Sequence, residues 1–87
     1  MKPRNEIKRQ LPSYPVIDLR ATGANIRQLR IERGFSIHEV QHFMGFETVQ
    51  AIYHWQSGAS LPSLDSAYAF STLLGLTVND ILVPVVR

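Results

Sequence analysis

Residues 38–42, His38-Glu39-Val40-Gln41-His42, read HExxH, and that spacing has a definite chemistry. On a helix, side chains four apart share a face. Two imidazoles can then hold one zinc ion while the glutamate takes a proton from the zinc-bound water. Gly45 falls where the longer pattern HExxHxxGxxH also has a glycine. Catalytic zinc, however, needs a third protein ligand. The third histidine of the long pattern would stand at Thr48, and His54 is the only histidine that follows. A carboxylate ligand would have to come from Asp65 or Asp80. Glu39 has a competing local use, because Ser36-x-x-Glu39 is a capping box that opens a helix, and Gly45 serves equally well as a helix stop. The motif therefore predicts no peptidase, no metal and no cofactor, and places His38 and His42 on a solvent-facing helix surface.

The elements that carry these residues must fit in 87 residues, the size of one domain. The apolar fraction of 45% is that of a globular chain. The absence of cysteine excludes a disulfide framework and any thiolate metal site. No apolar run approaches the ~20 residues of a membrane span. The first residues, MKPRNEIKRQLPSYPV, are charged and lack the apolar stretch of a secretory signal. A cytoplasmic, non-membrane protein is the expectation. A domain of this size offers neither a second lobe nor a sheet edge from which to build a protease cleft.

Charge is unevenly spread. Residues 1–33 carry eight basic residues against three acidic ones, and residues 34–87 carry one against four. A basic half favours a polyanionic partner; a solvated helix face with a basic tail accounts for the charge equally well.

Residues 1–17 hold three of the five prolines and little periodicity, which predicts an extended basic arm. Asp18 is the expected N-cap of a first helix whose inward positions are Leu19, Thr22, Ile26, Leu29 and Arg33, with Gly34 as its stop. Gly23 within it costs about 1 kcal/mol relative to alanine, so the helix is allowed to start there instead. The Ser36 box opens a second helix with Ile37, Val40, Phe43 and Met44 apolar, ended by Gly45. Thr48 is the expected cap of a third, in which Val49, Ile52 and Trp55 make one face. Ser63 caps a fourth, with Leu64, Ala67, Phe70, Ser71 and Leu74 inward, and Thr77 caps a short fifth that Pro84 limits. No stretch alternates at period two. The predicted fold class is all-α, five helices over residues 18–83, with the arm before them and a short tail, 84–87, after.

The second helix, a glycine-containing turn and the third helix form a helix-turn-helix. Residues 23–83 resemble the Cro/lambda-repressor-like, XRE-type DNA-binding domain. The run NIRQLRIERGFSIHEVQHFMGF looks like its first two helices, and QAIYHWQSGASLPSLDSAYAFSTLLGLTVNDILV like its recognition helix, loop and last two helices. The ordered set that carries the likeness is Ile26, Leu29, Arg30, Gly34, Val40, Gly45, Ile52, Trp55, Gly58, Pro62, Leu64, Leu74 and Ile81-Leu82. Three departures stand out. Gln41 replaces the family's small residue in helix two, and the turn GFETVQA is one residue longer than the common form. Gln56 replaces the glutamate that pairs with the helix-one arginine, which leaves Arg30 a hydrogen bond in place of an ion pair.

The resemblance implies a five-helix lambda-repressor-like fold and a sequence-specific transcriptional regulator, a repressor, that reads the major groove with the helix at about 48–57. It implies base contacts from Val49, Gln50, Tyr53 and His54. Gln50 is suited to adenine, His54 to guanine N7 or a phosphate, and Val49 to a thymine methyl. Gln50 also fits an idle surface amide, and Val49 a core position. Phosphate contacts are implied for Ile37, His38, His42, Thr48, Ser57 and Ser60, and the arm adds Lys2, Arg4, Lys8 and Arg9. Helix three and its loop contain no lysine or arginine, so affinity must lean on the arm, on helix N-termini and on histidine protonation. The implied partner is double-stranded DNA, bound as a homodimer, with ILVPVVR and YPVID as the candidate interface. The alternative is a non-catalytic interaction module or antitoxin-like protein that keeps the fold and binds a protein partner.

Overall fold

The computed structural model describes residues 10–86. Five helices follow one another: α1 Leu19–Glu32, α2 Ile37–Met44, α3 Gln50–Ser57, α4 Leu64–Leu74 and α5 Val78–Ile81. The core draws on all five, with Ile26, Val40, Ile52, Trp55, Phe70, Leu74 and Ile81 buried together. Trp55 lies edge-on between Phe46 (centroids 5.7 Å apart) and Phe70 (6.4 Å), the T-shaped geometry aromatic quadrupoles favour.

The helix starts follow from capping chemistry. Asp18 accepts the Ala21 N–H at 2.9 Å, and Ser63 accepts that of Ser66 at 3.1 Å. At Ser36 both halves of the box form: its Oγ accepts the Glu39 N–H (3.1 Å), and the Glu39 carboxylate accepts the Ser36 N–H (2.8 Å). The Ser36 N–H, and then its hydroxyl, hold the Glu39 carboxyl below its ordinary value of 4.5. Asp80 is lowered from 3.8 in the same way, first by the Thr77 N–H and then by the Thr77 hydroxyl.

Several expectations need correction. Of the two starts open to helix α1, the Asp18 cap holds and the later one at Gly23 does not; the helix runs through that glycine, which is buried. An added Cβ there would collide with the carbonyl oxygens of Trp55 and Gln56, the latter at 2.7 Å. Gly23 is where the backbones of α1 and α3 meet, so the residue is set by close approach and not by helix propensity. Helix α3 begins at Gln50, with Val49 and not Thr48 at its N-cap. The longer turn carries the chain past Thr48 before the first intrahelical bond, Tyr53 N–H to Val49 O at 3.1 Å. Thr48 still accepts the Gln50 N–H at 3.3 Å. Leu64, expected inward, is 78% exposed, because it occupies the first position of α4 and the core begins one turn later, at Ala67. Phe43 is also exposed, since the buried stripe of α2 passes through Ile37, Val40 and Met44.

The two stretches expected to form an interface between chains pair with each other inside one chain. Ile17 and Pro84 form an antiparallel bridge, flanked by Asp18 N–H to Val83 O (2.8 Å) and Val85 N–H to Val16 O (2.7 Å). Pro84 has no N–H to give, so its neighbours carry the bonds. The buried Thr22 hydroxyl anchors this clasp, accepting the Val83 N–H at 2.9 Å and donating to the Val83 carbonyl at 3.3 Å. Asn25 donates to the last carbonyls of α5, Asp80 O at 2.9 Å and Ile81 O at 3.0 Å.

Candidate nucleic-acid interface

Helix α3 is held from below. Ile52 and Trp55 are buried in the core, which turns Gln50, Tyr53, His54 and Ser57 outward, all exposed. Val49 is half-buried at the N-cap of α3.

Arg30 fixes how α3 sits on the rest. Its Nε donates to Gln56 Oε1 at 3.0 Å and its guanidinium to the Phe35 carbonyl at 2.8 Å. One half-buried arginine thus ties α3 to the α1–α2 corner through a charge-assisted hydrogen bond to a neutral amide, as the Gln56 departure predicts. The other two departures meet in one contact. Gln41 donates from Nε2 to the Phe46 carbonyl at 3.2 Å, so the larger side chain of α2 satisfies a backbone carbonyl of the turn that follows it.

On α2, His38 and His42 are exposed. Ile37 is half-buried against the core, so what it can offer a phosphate is its backbone N–H in the first turn of α2. Thr48 accepts the Gln50 N–H and keeps its own proton free to donate. Ser57 spends its proton on the His54 carbonyl (3.1 Å) and accepts the Ala59 N–H (3.3 Å), which makes it a strut of the loop. Ser60 is exposed in that loop. Lys2, Arg4, Lys8 and Arg9 lie outside the described residues.

The structure adds a residue that sequence reasoning missed. Arg20, exposed in the first turn of α1, lies against Gly58 at the end of α3, where a Cβ on Gly58 would stand 2.9 Å from Arg20 Cα. It brings a positive charge beside a helix and loop that have none of their own. Nothing in the sequence joins positions 20 and 58; only the α1–α3 packing does. Arg33, by contrast, is used internally, its guanidinium donating to the Leu74 carbonyl at 2.6 Å.

Among the described residues no three histidine, aspartate or glutamate side chains converge as a metal-binding group. The glutamate of HExxH is turned back onto Ser36.

A family model described as helix-turn-helix matches residues 26–81. Among curated proteins, no relative matches the chain. Among solved structures, the restriction-modification controller protein C.AhdI from Aeromonas hydrophila superposes with a TM-score of 0.66 at 22% identity, over 74% of this chain and 96% of that one. The hypothetical transcription factor NHTF from Neisseria gives a TM-score of 0.64 at 25% identity, over 88% and 91%. The DNA-binding domain of BldD gives 0.63 at 18% identity, over 75% and 93%.

Proposed function

We propose that this chain, which belongs to the XRE-type helix-turn-helix family of DNA-binding transcriptional regulators, is a sequence-specific repressor that lays α3 in the major groove and has no catalytic activity. The observation that carries the reading is the two-sided character of α3: Ile52 and Trp55 lock one side into the core, and Gln50, Tyr53 and His54 leave the other free to meet base edges. Gln50, in the first turn of α3, has the bidentate amide that adenine requires. Val49 reaches a thymine methyl only by its exposed edge. His38, His42, Thr48, Ser60 and the Ile37 N–H address the phosphates, and Arg20 and the basic arm supply the charge that α3 lacks. Ser57 contributes by shaping the loop. The protein acts in the cytoplasm as a homodimer on a pseudo-palindromic site.

Selection of bound sequences from random DNA at low salt tests this directly. A defined motif should emerge, and Gln50→Ala should relax it at one position. Enrichment of no motif would sink the reading.

The second reading, an interaction module that has given up DNA, draws on two observations. Helix α3 and its loop carry no lysine or arginine, and Leu64 and Tyr68, one turn apart on α4, are 78% and 68% exposed. Indifference of DNA retention to Gln50→Ala, together with its loss of a protein partner on Leu64→Ser, would favour it.

A further inference from the structure

His38 and His42, given phosphate contacts in the proposed function, have surroundings more specific than that use requires. The two residues are four apart on α2 and both exposed, which places them on one helix face at the spacing that lets two imidazoles share an ion. His38 Nδ1 lies 3.2 Å from Gln41 Oε1. The polarity of that contact is fixed by what Gln41 does with its other end. The Phe46 carbonyl only accepts, so the Gln41 amide must present its NH2 group there and its oxygen to His38. An amide oxygen also only accepts, so His38 Nδ1 carries the hydrogen. The neutral ring therefore has its lone pair on Nε2, the nitrogen that takes no part in this contact. An imidazole whose far N–H is held by an oxygen acceptor is the arrangement that orients a metal ligand and raises its basicity.

We propose that His38 and His42 form a two-imidazole chelate for a late first-row divalent cation, with Ni2+ and Cu2+ as the class, and that the Phe46–Gln41–His38 chain sets the ligand tautomer. Neutral imidazole suits these ions, and two nitrogens with water in the remaining positions match their tetragonal preference. The site is distinct from a zinc-peptidase centre. Glu39 is committed to Ser36, and no third protein ligand joins the pair among the described residues. The chelate is weak, exchangeable and open to solvent. It is formed only when α2 is helical, so the ion binds the folded state in preference to the unfolded one and raises its stability by linkage.

The test is thermal unfolding of the full chain with increasing NiCl2 at constant ionic strength and pH 7.5. The wild-type midpoint should rise with the logarithm of Ni2+ concentration and return when EDTA is added. His38→Gln and His42→Gln, both at exposed positions, should each abolish the rise, while His54→Gln should keep it. Gln41→Ala should shift the rise to higher Ni2+ concentration. Lowering the pH to 5.5 should suppress it, because protons and metal compete for the imidazoles. With one equivalent of Cu2+, electron paramagnetic resonance should show nitrogen ligation in the wild type that is lost in the double histidine variant. An unchanged wild-type midpoint, or an equal rise in the double variant, would overturn the proposal.

Discussion

At the scale of single residues, a buried anchor, Trp55, and the amide proposed to read a base, Gln50, belong to the same short helix, α3. Trp55 is 5% exposed, between Phe46 and Phe70. Cutting a buried aromatic to alanine costs ~3–5 kcal/mol, comparable to the whole stability of a small domain. Trp55→Ala should therefore unfold the protein, as circular dichroism melting would show; a normal melt with DNA binding abolished would mean that Trp55 faces the nucleic acid. Gln50→Ala should leave the melt unchanged, since the amide is exposed, and should cost about 1–3 kcal/mol of discrimination at one base pair. Arg30 belongs to both accounts. Replacing its neutral partner by Gln56→Glu converts the 3.0 Å bond into an ion pair and should raise the melting midpoint by a few degrees, for a gain on the order of 1 kcal/mol.

At the scale of elements, helix propensity and helix packing make opposite predictions for Gly23. Propensity says that alanine stabilises α1 by about 1 kcal/mol. Packing says that the new methyl enters the carbonyl layer of α3 at Trp55 and Gln56, where backbone atoms cannot turn aside as a side chain does. Overpacking of this kind costs about 1–3 kcal/mol or more, so packing wins and Gly23→Ala should lower the denaturant midpoint. A stabilised variant would show that α1 and α3 approach each other less closely than described. The capping boxes give a pH signature. The carboxyls of Glu39 and Asp80 titrate lower in the folded protein than in the unfolded chain, each held chiefly by a backbone N–H of its own cap. Their contribution is complete above the unfolded values of about 4–4.5, and it is lost as pH falls through the lower folded values. Melting midpoints should fall on acidification below about pH 4.5, and the fall should be shallower in the Glu39→Gln, Asp80→Asn variant. Parallel profiles would mean that the boxes do not hold in solution.

At the scale of the whole molecule, the charge available for DNA is displaced from α3, the helix proposed to read it. Among residues 34–86 there is no lysine or arginine, and of the α1 arginines, Arg30 and the flanking Arg33 hold internal carbonyls and an amide. Deleting residues 1–12 should thus weaken DNA binding without unfolding the domain, because the cut falls before the Val16–Asp18 clasp. Each phosphate that the shortened chain no longer neutralises should flatten the plot of log affinity against log salt by about 0.9. Equal affinity and slope would make the arm a bystander.

The sequence alone determined what depends on neighbours along the chain. Asp18, Ser36 and Ser63 start helices because a side-chain oxygen reaches an N–H three residues on, and the spacing of Ile26, Val40, Ile52, Trp55, Phe70 and Leu74 marks the buried stripes. The Ser36 box also discloses that Glu39 is already engaged in capping α2. What depends on distant segments was decided only by the tertiary structure. Gly23 reads as a helix flaw until α3 is laid across it. Arg20 is one basic residue among nine until Gly58 is brought beside it. Leu64 fits the inward pattern, yet periodicity gives a direction and not the place where the core ends. The apolar stretches around Ile17 and Pro84 look like unpartnered ends, and their partners prove to be each other, because strand pairing joins segments that no local pattern links.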